Sequence, residues 1–516
     1  MAAVVVYFCF FSRLGAFGMI GPDEPRYASI ARAMAETGDW VTPRLNGQPW
    51  FEKPALYYWS AAAAFRVMGV GDHSARLPSA ALAMLAALSL AWLARRVYGE
   101  GSAWAVLLIF PTCVGVFAFA RAGTADMPFS AALALTMIAA FCAMWEDRPG
   151  SQRTWQMLFG AFLGVAALAK GPAAIVLAGG SVGLWAVVTR GWNRAWRLAH
   201  PLAVAAFCLV ALPWYVLCAV RNPEFLGVFF LEHNLQRFLT PIFLHEQPFW
   251  FFGPILLLGL LPWSALLAGV ARDTLVLWHE RKLRDSRGFF FACWIIFPLV
   301  FFSMSRSKLP GYILPVFAPL VLLLARSLTR AIEQNDSFAQ WLMEWTGVTL
   351  LLLAGVAGYR LSKMPTLLQA MPRTEMAVWV AAITIVGLIV SGLGWARKYR
   401  ASLGLAAVLI AALIAAINLR VAPKIDRELS PRVLAQMLQA EAKPGEDVQT
   451  FHLHRAWHYG VNYYLRRELT EWKPTSWGTR PGVVATSDAG VRDLLAWQVK
   501  FRIVQRISPQ AVIIRP

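Results

Sequence analysis

The sequence predicts a mostly α-helical, polytopic membrane protein of about thirteen transmembrane helices, followed by a small C-terminal α/β domain. Three observations carry this. Of the 516 residues, 58% are hydrophobic and only 15% are charged, against roughly 45–50% and about 25% in a soluble globular chain. Apolar runs of about 16–23 residues, long enough to cross a bilayer, recur through most of the chain. Loops rich in Lys and Arg alternate with loops poor in them. No soluble core could hide so much apolar surface, which excludes a soluble enzyme, a disordered chain and a disulfide-rich secreted module.

The spans read near 79–94, 102–120, 127–145, 200–220, 249–271, 289–304, 309–325, 341–359, 376–396 and 402–420. The stretch 157–189 is apolar but interrupted by Lys170, Gly171 and Pro172. Proline cannot continue a helix cleanly, so this stretch reads as two helices meeting at a break. Residues 1–11 are too short to span alone. Either that helix extends past Arg13 towards Ile20, or the start codon lies upstream.

The charges orient these spans. Arg95/Arg96, Arg148/Arg153, Arg190/Arg194/Arg197, the cluster from Arg272 to Arg287, Arg326/Arg330 and Arg397/Lys398/Arg400 mark the cytoplasmic loops, because Lys and Arg collect on that side. Residues 14–78, 121–126, 170–172, 221–248, 305–308 and 360–375 then face the other side. An odd number of spans puts the C-terminal tail there too. The net charge of +19 belongs to this topology and to anionic lipid rather than to nucleic acid. All six cysteines fall in apolar segments with no CxxC pair, so they read as small buried hydrophobes. There is no P-loop and no GxGxxG. The N-terminus lacks a basic region, so a cleavable signal peptide is not expected.

Two domains follow from this reading. Residues 1–420 hold the transmembrane helices and a long loop, 21–78; residues 421–516 form the small α/β domain. In the loop, Tyr27, Ile30, Ala31 and Met34 repeat at helical spacing, which predicts a helix over 25–37 stopped by Gly38. Asn46-Gly47 is a turn signal, and 55–68 reads as a second helix. The tail opens with a helix at Ser430-Pro431. Strand-like runs at 448–453, 482–486, 501–507 and 511–514 alternate with helical ones.

Five polar clusters fall on the far side by this topology. Asp23 and Arg26 lie in Pro22-Asp23-Glu24-Pro25-Arg26-Tyr27, where Asp23 is either a fixed surface carboxylate or an ordinary helix N-cap. Glu52 and Lys53 sit among Trp50, Phe51, Tyr57, Tyr58 and Trp59. That arrangement suits a phosphate-headed lipid or is an aromatic belt with an incidental ion pair. Asp126 stands at the edge of an apolar span, where an ionised group needs a partner or a wet cavity; Arg121 is the plain partner, and Lys170 poses the same question. Glu232 to Phe238, including Arg237, and Ser305 to Tyr312, including Lys308, complete the set. Two carboxylates and several cations around one cavity are what transfer from a phosphate-linked donor needs. The carboxylate serves as base or orients the acceptor, and the cations stabilise the departing oxyanion. The tail's His452, His454 and His458 have no further ligand spaced for a metal and read as surface or core residues.

The motifs match a known family in order. PDEPRYA at 22–28, GDW at 38–40, WFEKPALYYW at 50–59, ARLPSA at 75–80, TADMPF at 124–129, AKGPAA at 169–174, LEHNLQRF at 231–238, PFWFF at 248–252 and SKLPGYILP at 307–315 resemble the bacterial membrane glycosyltransferases of the protein O-mannosyltransferase/aminoarabinose transferase type, with the GT-C fold. HYGVNYYLRREL at 458–469 matches more loosely. The resemblance implies an inverting transferase that takes a sugar from a polyprenyl-phosphate carrier. It passes the sugar to lipid A, another envelope glycan or a protein on the periplasmic face of the inner membrane. It implies Asp23 as the main catalytic carboxylate and Asp126 as its second acid. Arg26, Lys53 and Arg237 would hold the carrier phosphate, and Lys308 is grouped with them. Glu52 corresponds to a residue that helps coordinate a divalent metal in the aminoarabinose transferases, but no histidine here matches securely to complete that site. The alternative is a lipid-linked-sugar transporter or flippase, which also uses intramembrane carboxylates and a broken helix.

Overall fold

Every run that the sequence marks as apolar is helical in the computed structural model, which describes residues 1–236, 246–361, 372–474 and 482–516. The chain packs as two compact units. The first comprises residues 1–12, 51–57 and 78–415; the second comprises 13–50, 58–77 and 416–516. These units do not follow the division at residue 420, because the loop after the first helix is grouped with the tail.

Among the described residues, eight helices are long and apolar enough to cross a membrane, and up to ten if each of two bent pairs is one span. Ala2–Phe11 and Ala173–Thr189 are shorter apolar helices, and Pro149–Lys170 is a further, more polar one. Each of the thirteen expected segments thus has its helix. The break at Gly171 is present: its φ of +73° and ψ of −144° are tolerated by glycine alone. Two expectations are corrected. The first helix does not extend past Arg13, since Ser12 is extended and Arg13 turns into the left-handed region at φ +48°. The segment read as one span over 249–271 bends by 113° between Phe249–Leu260 and Trp263–His279. Leu261 is extended there, as the residue before a proline is biased to be.

In the first unit, Pro149–Lys170 and Pro201–Arg221 approach closely across two glycines. A Cβ on Gly160 would lie 1.9 Å from the Ala203 carbonyl oxygen, and one on Gly164 would lie 2.9 Å from Val210 Cβ. Small residues at such a seam let helix backbones meet without lipid between them.

The second unit begins with the helix Asp23–Thr37, stopped by Gly38 at φ +76°, and a two-residue hairpin. Its strands, β1 (Arg44–Leu45) and β2 (Gln48–Pro49), flank Asn46 and Gly47, both at positive φ, as an Asn-Gly turn of this kind requires. Leu56–Met68 is the expected second helix. The tail carries β3 (Val448–Thr450), β4 (Val483–Thr486), β5 (Arg502–Ser508) and β6 (Ala511–Arg515), all where the sequence places strands. They form one sheet in the order β3-β4-β6-β5, with β3 and β4 parallel and the other pairs antiparallel. Val483, Ala485, Ala511 and Ile513 face the helices Arg432–Glu441 and Arg455–Leu465, while Val484, Val512 and Ile514 face Asp488–Ala496. A sheet covered on both faces needs continuous apolar strands, and the runs VVAT and AVII supply them. The tail opens one helix earlier than expected, with Ala422–Leu429.

Two arginines tie this unit together, Arg76 within the loop and Arg432 between the loop and the tail. Arg76 is 1% exposed and donates to the Leu14, Phe17 and Gly18 carbonyls and to both Glu24 oxygens, at 2.7–2.8 Å. Arg432 pairs with Asp426 at 2.6 Å and Asp72 at 3.1 Å. Asp426 in turn accepts from the Gly18 amide at 2.7 Å, and Tyr464 Oη accepts from the Met19 amide and donates to Asp72. Residues 14–20 are therefore strapped between the loop helix and the tail.

Candidate active site

The second unit holds Asp23 and Arg26. Asp23 is not a helix N-cap: the cap position is Pro22, and no side chain caps there. The carboxylate lies in the first helical turn and accepts from Arg26 Nη2 at 2.6 Å. Glu24, one residue on, accepts from the Ile20 amide at 2.7 Å and closes the turn instead. The Asp23 side chain is 45% exposed while that of Arg26 is only 10% exposed. The guanidinium lies among three rings, 5.3 Å from Tyr27, 5.5 Å from Trp50 and 5.7 Å from Tyr459. Rings with a negative face stabilise a cation there. An accessible carboxylate thus stands in front of a cation held from behind.

Glu52, Lys53, Asp126 and Lys308 belong to the first unit. Lys53 Nζ donates to Glu52 Oε1 at 3.1 Å, and both side chains are largely buried. Phe51 beside them packs edge-on against Phe225 at 5.2 Å. The pair is therefore a walled ion pair rather than a surface one. Among the described residues no three His, Cys, Asp or Glu side chains gather as a metal site, and Glu52 Oε1 accepts from the Lys53 ammonium.

Asp126 begins the helix Asp126–Trp145. Its Oδ1 accepts from Lys170 Nζ at 2.6 Å, so Lys170 at the helix break, rather than Arg121, is its close partner. Arg121 donates to the Ser12 carbonyl at 2.9 Å. Lys170 also lies 5.3 Å from the Phe129 ring and 5.2 Å from the Tyr312 ring. Gly311 makes room for this pair: a Cβ there would be 3.1 Å from Asp126 Cγ. Sequence reasoning flagged Lys170 as an unexplained charge but assigned it no role. The Tyr312 ring beside it carried no signal beyond its place in SKLPGYILP.

Lys308 is 6% exposed and donates to the Ser305 and Gln247 carbonyls at 2.6 and 3.0 Å. It lines an open cleft of about 500 Å³ with Glu246, Ser305 and Arg306. Arg237 lies outside the described residues. In the tail, His452 pairs with Asp493 at 2.7 Å and His454 accepts from the Ala456 amide as a helix cap. His458 bridges Thr450 and Asn462.

A family model for dolichyl-phosphate-mannose-protein mannosyltransferase matches residues 1–229. The undecaprenyl phosphate-alpha-4-amino-4-deoxy-L-arabinose arabinosyl transferase of Enterobacter sp. (strain 638) is 34% identical over 317 residues, 60% of this chain and 56% of that protein. Its counterpart from Pseudomonas aeruginosa is 34% identical over 358 residues, 68% of this chain and 63% of that protein. The chain therefore spans less than two thirds of the curated relatives it matches. The crystal structure of ArnT from Cupriavidus metallidurans bound to undecaprenyl phosphate has a TM-score of 0.80 to this chain at 24% identity, covering 99% of this chain and 96% of that one. The chain has the fold of that protein, and in sequence it resembles the glycosyltransferases of the aminoarabinose transferase type.

Proposed function

We propose that this chain is an inverting glycosyltransferase that moves a sugar from a polyprenyl-phosphate carrier to an envelope acceptor on the periplasmic face of the inner membrane. The observation that carries this is the half-exposed Asp23 carboxylate held by the aromatic-caged Arg26. The names of the curated relatives make undecaprenyl phosphate the carrier to test first and 4-amino-4-deoxy-L-arabinose the sugar. The acceptor is lipid A, another glycan or a protein.

In such a reaction an acceptor oxygen attacks the anomeric carbon from the face opposite the carrier. The new C–O bond forms as the bond to the carrier phosphate breaks, and the electron pair leaves with the phosphate. Cations near that phosphate stabilise the oxyanion. Arg26, Lys53, Arg237 and Lys308 are the residues proposed for this. If the acceptor is a hydroxyl, Asp23 takes its proton. If the acceptor is a phosphate, it is already an anion, and Asp23 stabilises positive charge developing on the sugar. Asp126, gripped by Lys170, is the second acid, and its ion pair makes it an orienting group rather than a free base.

The names of the curated relatives, which are arabinosyl transferases, favour transfer over transport. Proteoliposomes holding the full chain, lipid A and the undecaprenyl-phosphate-linked aminosugar separate the two. Transfer raises the lipid A mass by one aminosugar residue. A flippase leaves lipid A unchanged and only exposes the donor amine to a membrane-impermeant reagent.

A further inference from the structure

We propose that Tyr459, in the C-terminal tail, is a positioning residue of the active site: its ring closes the aromatic cage that holds Arg26 against Asp23. This rests on the reading of Asp23 and Arg26 given above. The tail is remote in sequence, and its matching segment is the loosest of the motifs.

The geometry comes from three parts of the second unit. Tyr27 is the residue next to Arg26 on the loop helix, Trp50 follows the hairpin, and Tyr459 stands on the tail helix Arg455–Leu465. All three rings lie within 5.7 Å of the guanidinium. Trp50 and Tyr27 alone are local to the loop, whereas the third ring must be brought by the tail. A second contact of the same kind fixes the two helices together. Arg32 Nη1 donates to the Tyr463 carbonyl at 2.6 Å, and its guanidinium lies 5.4 Å from the Tyr463 ring. Behind the cage, Gly460 packs so tightly on Pro431 that a Cβ would lie 1.9 Å from Pro431 Cγ. The backbone beside Tyr459 is therefore held in place.

The physical consequence is specific. Arginine has long, rotamer-rich geometry, and the three rings around the guanidinium restrict it to rotamers that keep its 2.6 Å bond to Asp23. Removing one ring from a largely desolvated cage loosens the cation, and the loss is felt where the cation acts.

The test uses the purified full-length protein and undecaprenyl phosphate alone as the probe, with binding read by native mass spectrometry and unfolding temperature read in parallel. Tyr459→Leu is expected to weaken binding by about three- to thirtyfold, the range that a cation–ring contact commands, with unfolding unchanged. Tyr459→Phe keeps the ring and is expected to restore binding. In an Arg26→Gln background, Tyr459→Leu should cost nothing further, because a ring that acts through Arg26 has nothing left to hold. A Tyr459→Leu protein that binds as wild type does, while Arg26→Gln binds weakly, overturns the positioning role and leaves the reading of Arg26 standing. Wild-type binding by Arg26→Gln overturns both. A full, additive loss in the double variant assigns Tyr459 to tail folding instead.

Discussion

Removing the ammonium of Lys170 takes from the partly buried Asp126 carboxylate its 2.6 Å ion-pair partner, which itself lies over the Phe129 and Tyr312 rings. The pair is 2.6 Å apart with side-chain exposures of 14% and 24%, so the cost of breaking it is discounted from the roughly 3–5 kcal/mol of a fully buried pair. We expect Lys170→Met to lower the unfolding temperature and Lys170→Met with Asp126→Asn to recover part of it. The coupling between the two should be about 1–3 kcal/mol. A double-mutant cycle in unfolding of the solubilised protein checks this, and additive effects would mean that the ion pair is incidental. At this scale the sequence marked Asp23, Arg26, Glu52, Lys53 and Asp126 because charges beside prolines, glycines and aromatics are uncommon in so apolar a chain. It could not assign Lys170 to Asp126, since the two are 44 residues apart and Arg121 is nearer in sequence. Arg76 was quoted only within ARLPSA; its five hydrogen bonds reach parts of the loop that no periodicity connects.

At the scale of elements, local signals were strong wherever backbone chemistry is local. Gly38, Asn46-Gly47 and Gly171 each force or favour a specific φ, and each stands where the sequence predicts a stop, a turn or a break. The bend at Leu261 was missed because a proline inside a long apolar run also occurs in continuous helices, as Pro78 and Pro298 show. The helix Arg455–Leu465 carries a pH-dependent element of its own. Asn462 Oδ1 accepts from the Leu469 amide at 3.1 Å, which turns its Nδ2 toward His458 Nε2 at 3.2 Å. Nε2 must then accept, so the ring is neutral and its Nδ1–H donates to Thr450 Oγ1. Burial holds this imidazole below its ordinary pKa, with Glu468 and Glu471 pulling the other way. The unfolded chain therefore binds the proton first. Stability that is complete above about pH 6.5 is lost as pH falls from there through the folded pKa. We expect the unfolding temperature to drop between pH 7.5 and 5.5, and His458→Gln to flatten that drop. An equally steep drop in the variant would place the sensitivity elsewhere.

For the whole molecule, composition and hydropathy were enough to give a helical membrane protein with a small α/β tail. They were not enough to show that the loop after the first helix packs with the tail. The bonds that join them, Gly18 to Asp426 and Met19 to Tyr464 among them, link residues more than 400 positions apart, and tertiary pairing at that range leaves no local pattern. The account of function turns on Asp23. Its most direct test is mass spectrometry of lipid A and envelope glycans from a strain lacking this protein, complemented with wild type or with Asp23→Asn at matched membrane abundance. The account predicts a glycan mass that returns with wild type and stays absent with Asp23→Asn, which would identify sugar and acceptor together. Full return of that mass with Asp23→Asn would contradict it.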